Sequence, residues 1–373
     1  MHGLPRAVRP HQAVLIRGAR VPQFHTLRVS AIERLTADAV ALTFTVPPEL
    51  EADYAFAPGQ HVTVRCLAAG DDVRRTYSLC SAPGQLRIGV KQVAGGVFSR
   101  YALTELKRGD DVEVMTPTGR FTTVVDALRP RHRAAIVAGS GITPVLSILS
   151  SALAAEPTSR FTLIYGNRSA DSVMFLDELA DLKDRYPDRL VVFHVLSREV
   201  RESPLLSGHL DKAKLDEFLD LVVASAAVDE WFLCGPADVI DAARVSLREH
   251  GVDDGAVRFE LFHVAALQRA AAVAPAPRDL GPNSEVTITL AGRSTHVSVP
   301  TDRDVLHVVM TVRADVPYGC TNGMCGTCRA KVVEGRVEMH HCYALDQAEL
   351  DAGFVLTCQA RPRTGRVVLD YDA

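Results

Sequence analysis

Short runs of alternating apolar and polar residues dominate the chain from about Phe24 to Val125. FHTLRVSAI, AVALTFTV, HVTVRCL, RRTYSLC, LRIGVKQV and DVEVM are separated by turn signals, a spacing that predicts an antiparallel β-barrel. Between about Arg131 and Phe262 the pattern changes. Apolar runs AAIVA, FTLIY, LVVFHVL, EWFLC and VRFELF alternate with helical segments PVLSILSSALA, SVMFLDELADLKDRY, KLDEFLDLVVA and ADVIDAARVSLREHG. Continuous apolar strands separated by helices predict a doubly wound α/β parallel sheet. Residues 265–283 have no usable periodicity and carry three prolines, which reads as a linker. Beyond it, EVTITL, THVSV, RAKVV and RVVLDY read as strands and Asp304 to Arg313 as a short helix, together a small α+β domain. Residues 1–22 hold Arg6, Arg9, Arg17 and Arg20 without an acid or a period, and are expected to be a disordered leader. The expected organisation is multidomain: a leader over 1–22, a barrel over 23–127, a doubly wound domain over 128–264, a linker over 265–283 and a cysteine-bearing domain over 284–373.

Composition narrows the function classes. With 47% hydrophobic and 23% charged residues in 373 and a formal charge of −4, the chain reads as globular, with no hint of a nucleic-acid or membrane-surface partner. No apolar stretch reaches eighteen residues, so no membrane-spanning helix is expected. Eight cysteines in a chain without a secretory segment argue for a reducing, cytoplasmic setting rather than a disulfide framework.

Four of those cysteines carry the sharpest chemistry. YGCTNGMCGTC places Cys320, Cys325 and Cys328 in a C-x4-C-x2-C loop, and Cys358 follows alone in VLTCQA. That is the plant-type [2Fe–2S] spacing. Three thiolates can converge from one loop only if small residues let the backbone wrap, and Gly319, Gly323 and Gly326 supply that freedom. A four-cysteine zinc site is the plainer alternative, but such sites usually pair two short-spaced couples. A Rieske centre needs two histidines in place of two cysteines, and no Cys-x-His pair occurs. Cys66, Cys80, Cys234 and Cys342 read as buried thiols or pocket linings. Tyr318, Thr321, Asn322 and Met324 are candidates for an exposed rim around the loop.

Weaker signals accumulate in the first two domains. In Arg75-Thr76-Tyr77-Ser78, period two puts Arg75 and Tyr77 on one strand face, a cation beside an aromatic plane. Gly95-Gly96-Val97-Phe98-Ser99 precedes a helical run from about Ser99 to Glu105 and could offer N–H groups to an anion. An Arg and a Tyr on a strand are by themselves most often ordinary surface residues. In the doubly wound sheet, ligands bind where strand order reverses. For an order 3-2-1-4-5, the loops Gly139-Ser140-Gly141-Ile142-Thr143-Pro144 and Cys234-Gly235-Pro236 flank that crevice. Either loop alone would be plain turn chemistry, but the pair points to a dinucleotide.

Together these runs, with VMTPTGRF and FTLIYGNRS, resemble ferredoxin–NADP reductase-type flavoproteins fused to a C-terminal plant-type ferredoxin, over nearly everything after residue 22. The resemblance implies a β-grasp fold for the last domain and FAD, NADPH and a [2Fe–2S] cluster as cofactors. It implies that Arg75, Thr76, Tyr77 and Ser78 hold the flavin, with Tyr77 stacked near the ring and Ser78 near its N5. Gly95, Gly96, Val97 and Ser99 would line its pyrophosphate. Gly139, Gly141, Thr143 and Pro144 would cradle the dinucleotide, with Cys234, Gly235 and Pro236 near the nicotinamide. Ser197 and Arg198 look like a 2′-phosphate pair, and Arg168 is a second candidate. Tyr77, Ser78 and Cys234 are thus the expected catalytic residues, and Cys320, Cys325, Cys328 and Cys358 the metal ligands. The implied partner is the oxygenase component of a multicomponent monooxygenase; the alternatives are a reductase of a steroid or aromatic-ring hydroxylase, and a zinc-stabilised binding module. One departure is Asn322, where relatives often carry glycine; Asn tolerates left-handed geometry, so the loop is expected to survive, with its bonds to sulfur in doubt.

Overall fold

A computed structural model describes residues 22–68, 71–263, 283–345 and 347–373. All of the expected leader but Pro22, and all of the expected linker but Asn283, lie outside the described residues.

Six antiparallel strands form the first unit: β1 (Phe24–Thr36), β2 (Ala39–Thr45), β3 (His61–Ala68), β4 (Asp71–Ser78), β5 (Leu86–Lys91) and β6 (Asp111–Met115), in the order β4-β3-β6-β1-β2-β5. A bridge between Leu79 and Ile88 draws the two edges together and closes the barrel. Alternation sends Leu27, Val29, Leu42, Val62, Val64, Ile88 and Val114 inward to one core. Helix α1 (Val97–Thr104) caps it with Phe98, which is fully buried. It starts two residues before the expected Ser99.

The second unit is a parallel sheet of β7 (His132–Ala138), β8 (Arg160–Asn167), β9 (Leu190–Leu196), β10 (Glu230–Pro236) and β11 (Val257–His263), ordered β11-β10-β7-β8-β9. This is the anticipated 3-2-1-4-5 arrangement, with the reversal between β7 and β10. Its helices are α2 (Ile142–Ala155), α3 (Leu176–Arg185), α4 (Lys212–Leu221) and α5 (Ala237–Glu249). Helix α3 begins later than the apolar pattern of SVMF suggests. Phe175 sits at φ 60, a left-handed conformation that stops the helix extending backwards, and its ring is buried.

In the third unit β12 (Asn283–Leu290), β13 (Arg293–Pro300), β14 (Arg329–Glu334), β16 (Phe354–Leu356) and β18 (Arg366–Asp370) form a mixed sheet ordered β13-β12-β18-β14-β16. A small ribbon pairs β15 (Val337–Met339) with β17 (Ala360–Pro362). Helix α6 spans only Val305–Val309 and α7 spans Gln347–Asp351. Two expectations are corrected here. The helix anticipated over Asp304 to Arg313 is five residues long, because beyond Met310 the backbone closes short turns. Asn283, counted with the linker, begins β12, paired with Pro300.

Candidate functional site

Ser78 ends β4, and its hydroxyl donates to Glu260 Oε2 at 3.2 Å. Glu260 lies on β11 directly across from Cys234 on β10, so three strands from two domains meet at one spot. Cys234 is wholly buried; burial first, then the Glu260 charge, push its thiol well above the ordinary range. It is therefore present as a neutral, compact side chain. Tyr77, one residue earlier on β4, packs its ring 5.5 Å from Phe98, and burial raises its phenol. Arg75 is exposed, and its guanidinium bonds the Arg74 carbonyl at 2.7 Å. Thr76 points to the other face, with its hydroxyl oxygen 3.3 Å from that of Thr63.

The start of α1 is an uncapped helix N-terminus, with no side chain bonded to its first N–H groups. Gly95 takes φ 72 there. A Cβ on Gly96 would lie 2.5 Å from Ser99 Oγ, so only glycine lets the backbone approach. Ser99 Oγ accepts from Val93 N at 3.2 Å and donates to the Gly96 carbonyl at 3.3 Å, fastening the turn. Val97 and Phe98 continue into a cavity of about 510 Å³ lined also by Cys66, Arg100 and Tyr101.

The two glycine loops of the parallel sheet touch each other at the strand reversal. A Cβ on Gly141 would lie 2.1 Å from the Cys234 carbonyl oxygen. Gly139 adopts φ 55, and the loop is braced by Thr143 Oγ1 donating to the Ser140 carbonyl at 3.0 Å. Thr143 and Pro144 are buried, with the Thr143 methyl facing Gly89 of the barrel, so they shape the loop from behind. Gly235 and Pro236 complete β10 ahead of α5. At the ends of β8 and β9, Ser197 N–H bonds the Asn167 carbonyl and Arg198 N–H the Arg168 carbonyl at 2.8 Å. Arg168 and Arg198 are thus backbone neighbours at the end of the sheet, and both are exposed.

The cluster loop holds its thiols in two pairs. Cys325 N–H points to Cys320 Sγ at 3.3 Å, and Cys320 N–H to Cys325 Sγ at 3.5 Å. All four are free thiols, and within each pair a thiol hydrogen bond raises one and lowers the other: Cys320 up and Cys325 down, Cys328 up and Cys358 down. Among the described residues no group of three or more His, Cys, Asp or Glu side chains is gathered around a single-ion position. Two thiol pairs match two irons better than one zinc. Asn322 N–H donates to Cys320 Sγ at 3.4 Å, so the bond to sulfur is made. The left-handed positions are Thr321 at φ 56, Gly323 at φ 74 and Gly326 at φ 72, rather than Asn322.

The inner edge of this loop lies against the barrel. A Cβ on Gly319 would be 2.6 Å from Thr76 Oγ1, 2.8 Å from Thr63 Oγ1 and 3.4 Å from Cys325 Sγ. Arg74 lies 3.9 Å over the Tyr318 ring. Met324 and Tyr343 pack against the apolar core of the parallel-sheet domain. Two residues escaped the sequence reading. Glu260 could have been noticed as the one acid in the apolar run VRFELF. His61 had no signal: it is buried, with Nε2 3.1 Å from Thr118 Oγ1 and Nδ1 3.7 Å from Glu260. Burial opposes its protonation, but the Glu260 carboxylate and then Cys325 outweigh that and raise its pKa.

Comparison with known proteins matches this layout. Family profiles described as an oxidoreductase FAD-binding domain, an oxidoreductase NAD-binding domain and a 2Fe-2S iron-sulfur cluster binding domain match residues 26–123, 135–245 and 288–363. The chain is 41% identical over 353 residues to one of the subunits of the 1,2-phenylacetyl-CoA epoxidase of Escherichia coli K12, covering 94% of this chain and 98% of that protein. The chain belongs to the ferredoxin-reductase components of oxygenases. A second member, the 3-ketosteroid-9-alpha-monooxygenase ferredoxin reductase component of Rhodococcus rhodochrous, is 34% identical over 92% of this chain and 96% of that protein. The fold is that of phthalate dioxygenase reductase, with a TM-score of 0.53 and 23% identity over 93% of this chain and 98% of that one. This reductase is a flavoprotein that binds FAD, NAD(P)H and a [2Fe–2S] cluster, and its residues fit them. The uncapped α1 N-terminus suits a pyrophosphate, and the paired thiols with their N–H donors suit a binuclear cluster.

Proposed function

We propose that this reductase passes electrons from NADPH, through FAD and the [2Fe–2S] cluster, to the oxygenase component of a phenylacetyl-CoA epoxidase. The observation that carries the electron path is the contact of Gly319 with Thr76 and Thr63, which sets the cluster loop on the reverse side of the strand that bears Tyr77 and Ser78. The choice of acceptor rests on likeness to the epoxidase protein along nearly the whole chain.

A flavin takes two electrons as hydride and releases them singly, which matches NADPH to a one-electron cluster. The chain's own part is placement. Arg75 and the α1 N-terminus with Gly95, Gly96, Val97 and Ser99 bind pyrophosphate, Tyr77 and Ser78 flank the ring, and Thr76, expected with them, faces the cluster loop instead. Gly139, Gly141, Thr143 and Pro144 bring the dinucleotide to Cys234, Gly235 and Pro236, where Cys234 packs as a small neutral group. Glu260 accepts the hydrogen bond of the Ser78 hydroxyl and orients it. Cys320, Cys325, Cys328 and Cys358 hold the irons. NADPH is the preferred donor because Arg168, Ser197 and Arg198 sit together at the sheet's C-terminal edge, with two guanidiniums that have no carboxylate partner among the described residues. A 2′-phosphate can take both.

The protein is assigned to the cytoplasm, because a thiolate-ligated cluster and eight free cysteines suit a reducing compartment. No helix among the described residues is long and apolar enough to cross a membrane. The deciding experiment mixes the NADPH-reduced holoprotein with purified epoxidase oxygenase and follows oxygenase reduction anaerobically. Reduction supports the assignment. No reduction, with transfer instead to a steroid or aromatic-ring hydroxylase, moves the protein to that system.

A further inference from the structure

The same loop must receive electrons from the flavin side and deliver them to a partner, and its two edges differ in surroundings. On the inner edge, Tyr318 and Gly319 are buried against Arg74, Thr63 and Thr76, and Met324 is half-buried against the parallel-sheet domain. The expectation that Tyr318 and Met324 form part of an exposed docking rim is therefore corrected: both are used within the chain. The outer edge is open. Thr321, His340 and His341 are exposed, and Gln359 Nε2 bridges the Thr321 carbonyl at 3.0 Å and Cys358 Sγ at 3.7 Å. The His341 backbone lies on the loop, because a Cβ on Gly323 would come within 2.9 Å of its carbonyl oxygen. The imidazole is stacked on Tyr343 at 5.9 Å.

We propose that the outer edge, formed by Thr321, His340, His341 and Gln359, is the docking surface for the oxygenase, and that electrons leave there while the cluster domain stays seated on the barrel. This rests on the oxygenase assignment above. Each NADPH gives up a hydride; its two electrons cross the inner edge one at a time, and its proton is released to solvent. Each crossing oxidises the flavin side and reduces the cluster by one electron. Each docking event then returns the cluster to its oxidised state and reduces the oxygenase by one. Tunnelling falls off exponentially with distance, so a partner seated against Gln359, whose amide touches Cys358 Sγ, is brought close to a candidate ligand without displacing the barrel. None of these four residues is an acid or a permanent base, and Glu338, the acid that faces His340, is paired with Arg363. The partner surface it fits is polar and near neutral, and long-range steering has little part in the encounter.

Two experiments on the full holoprotein decide the matter. In the first, His340→Glu and His341→Glu together are titrated with the oxygenase. The expected result is binding weakened at least about tenfold, since an unpaired charge buried at an interface costs more than about 1.4 kcal/mol, with NADPH bleaching of flavin and cluster unchanged. Unaltered binding overturns the docking surface. In the second, cysteines placed at Arg120 and Glu349, whose side chains join barrel to cluster domain, are joined by a short thiol cross-linker with Cys66 and Cys342 replaced by Ser. Transfer to the oxygenase and to cytochrome c, corrected for a cluster-free Cys325→Ser control, should persist at the rate of the protein before cross-linking. Loss of both on cross-linking means the domain must leave the barrel to deliver, and overturns the inference. Should the parent protein fail to bind the oxygenase, the acceptor assignment falls, and the cytochrome c measurement still decides whether the seated domain delivers.

Discussion

The barrel meets the parallel-sheet domain and the cluster domain in two different ways. Barrel and parallel sheet share one core: Ala39, Ala41, Cys80 and Phe121 belong to the same buried cluster as Val137, Leu146, Phe161 and Phe232. Phe121 meets Phe232 edge-on at 5.6 Å, Ser147 Oγ donates to the Ser81 carbonyl at 2.6 Å, and Arg87 joins Glu178 at 2.8 Å while lying over Phe175. The cluster domain instead keeps a core of its own. It reaches its neighbours through Tyr318 under Arg74, Gly319 against two threonines, Met324 and Tyr343, and the Arg120–Glu349 pair. The difference follows the chemistry. Hydride transfer needs reacting atoms held within a few tenths of an ångström, which a continuous core enforces. Electron transfer tolerates a smaller contact, so the cluster can ride on a separable domain.

The sharpest division comes from removing the cluster. Cys325→Ser should abolish iron binding and all transfer to protein acceptors, while NADPH still bleaches the flavin at the parent rate in stopped flow. Loss of flavin reduction would show that the cluster domain is needed to build the shared core.

Next in size is the ion network beneath that core. Arg133 is wholly buried and bonds Glu156 at 2.6 Å and Glu230 at 2.9 Å. Arg133→Ala leaves Glu156 without a cation, while Glu230 keeps Arg131 and Arg258, and should cost about 3–5 kcal/mol, seen as a lower melting temperature for the two-domain unit. The cluster domain's own unfolding should be unaffected. Burial works against ionisation of both glutamates, but their hydrogen bonds and the arginines outweigh it, and both are held below the usual range. Their stabilisation is therefore complete above the unfolded glutamate pKa of about 4.3 and is lost as pH falls through the depressed folded values. Acid should open the barrel–sheet pair between about pH 4.3 and those lower values, measurable as flavin release.

Smaller effects separate catalysis from binding. Glu260→Gln keeps the shape but removes the charge that takes the Ser78 hydrogen bond. A bond to a charged group is worth roughly 1.5–3 kcal/mol, or about one to two decades in hydride-transfer rate; an unchanged rate would leave Glu260 a purely structural role. Arg198→Ala should lower kcat/KM for NADPH by a similar factor and leave NADH nearly untouched. Equal losses would assign Arg198 to the shared part of the cofactor. Least of all, Gly319→Ala should lift the loop off Thr76 and slow flavin-to-cluster transfer severalfold, leaving flavin reduction and the cluster's visible spectrum as they are.

Much of this was legible in the chain itself. The six barrel strands, the five parallel strands and the candidate ligand cysteines follow from period-two alternation, continuous apolar runs and C-x4-C-x2-C spacing, all local signals, whereas the order of the parallel strands was supposed and is shown only by their pairing. Local patterns do not report a pairing across domains. Ser78 and Glu260 are 182 positions apart, and His61 is placed between them and Cys325 only when three units close on one point. The left-handed backbone at Phe175 was equally hidden, because its ring is buried under a barrel arginine, a tertiary contact that its own propensity does not report. Which edge of the cluster loop is covered was beyond the sequence for the same reason. Tyr318 and Met324 look like an exposed rim in a loop of small residues, and burying them takes a barrel strand and a sheet domain that the loop's own residues do not encode. Sequence determined the elements and the candidate ligands, through period and spacing; tertiary structure decided which groups share a site and which surface stays open, because contacts between distant segments set burial.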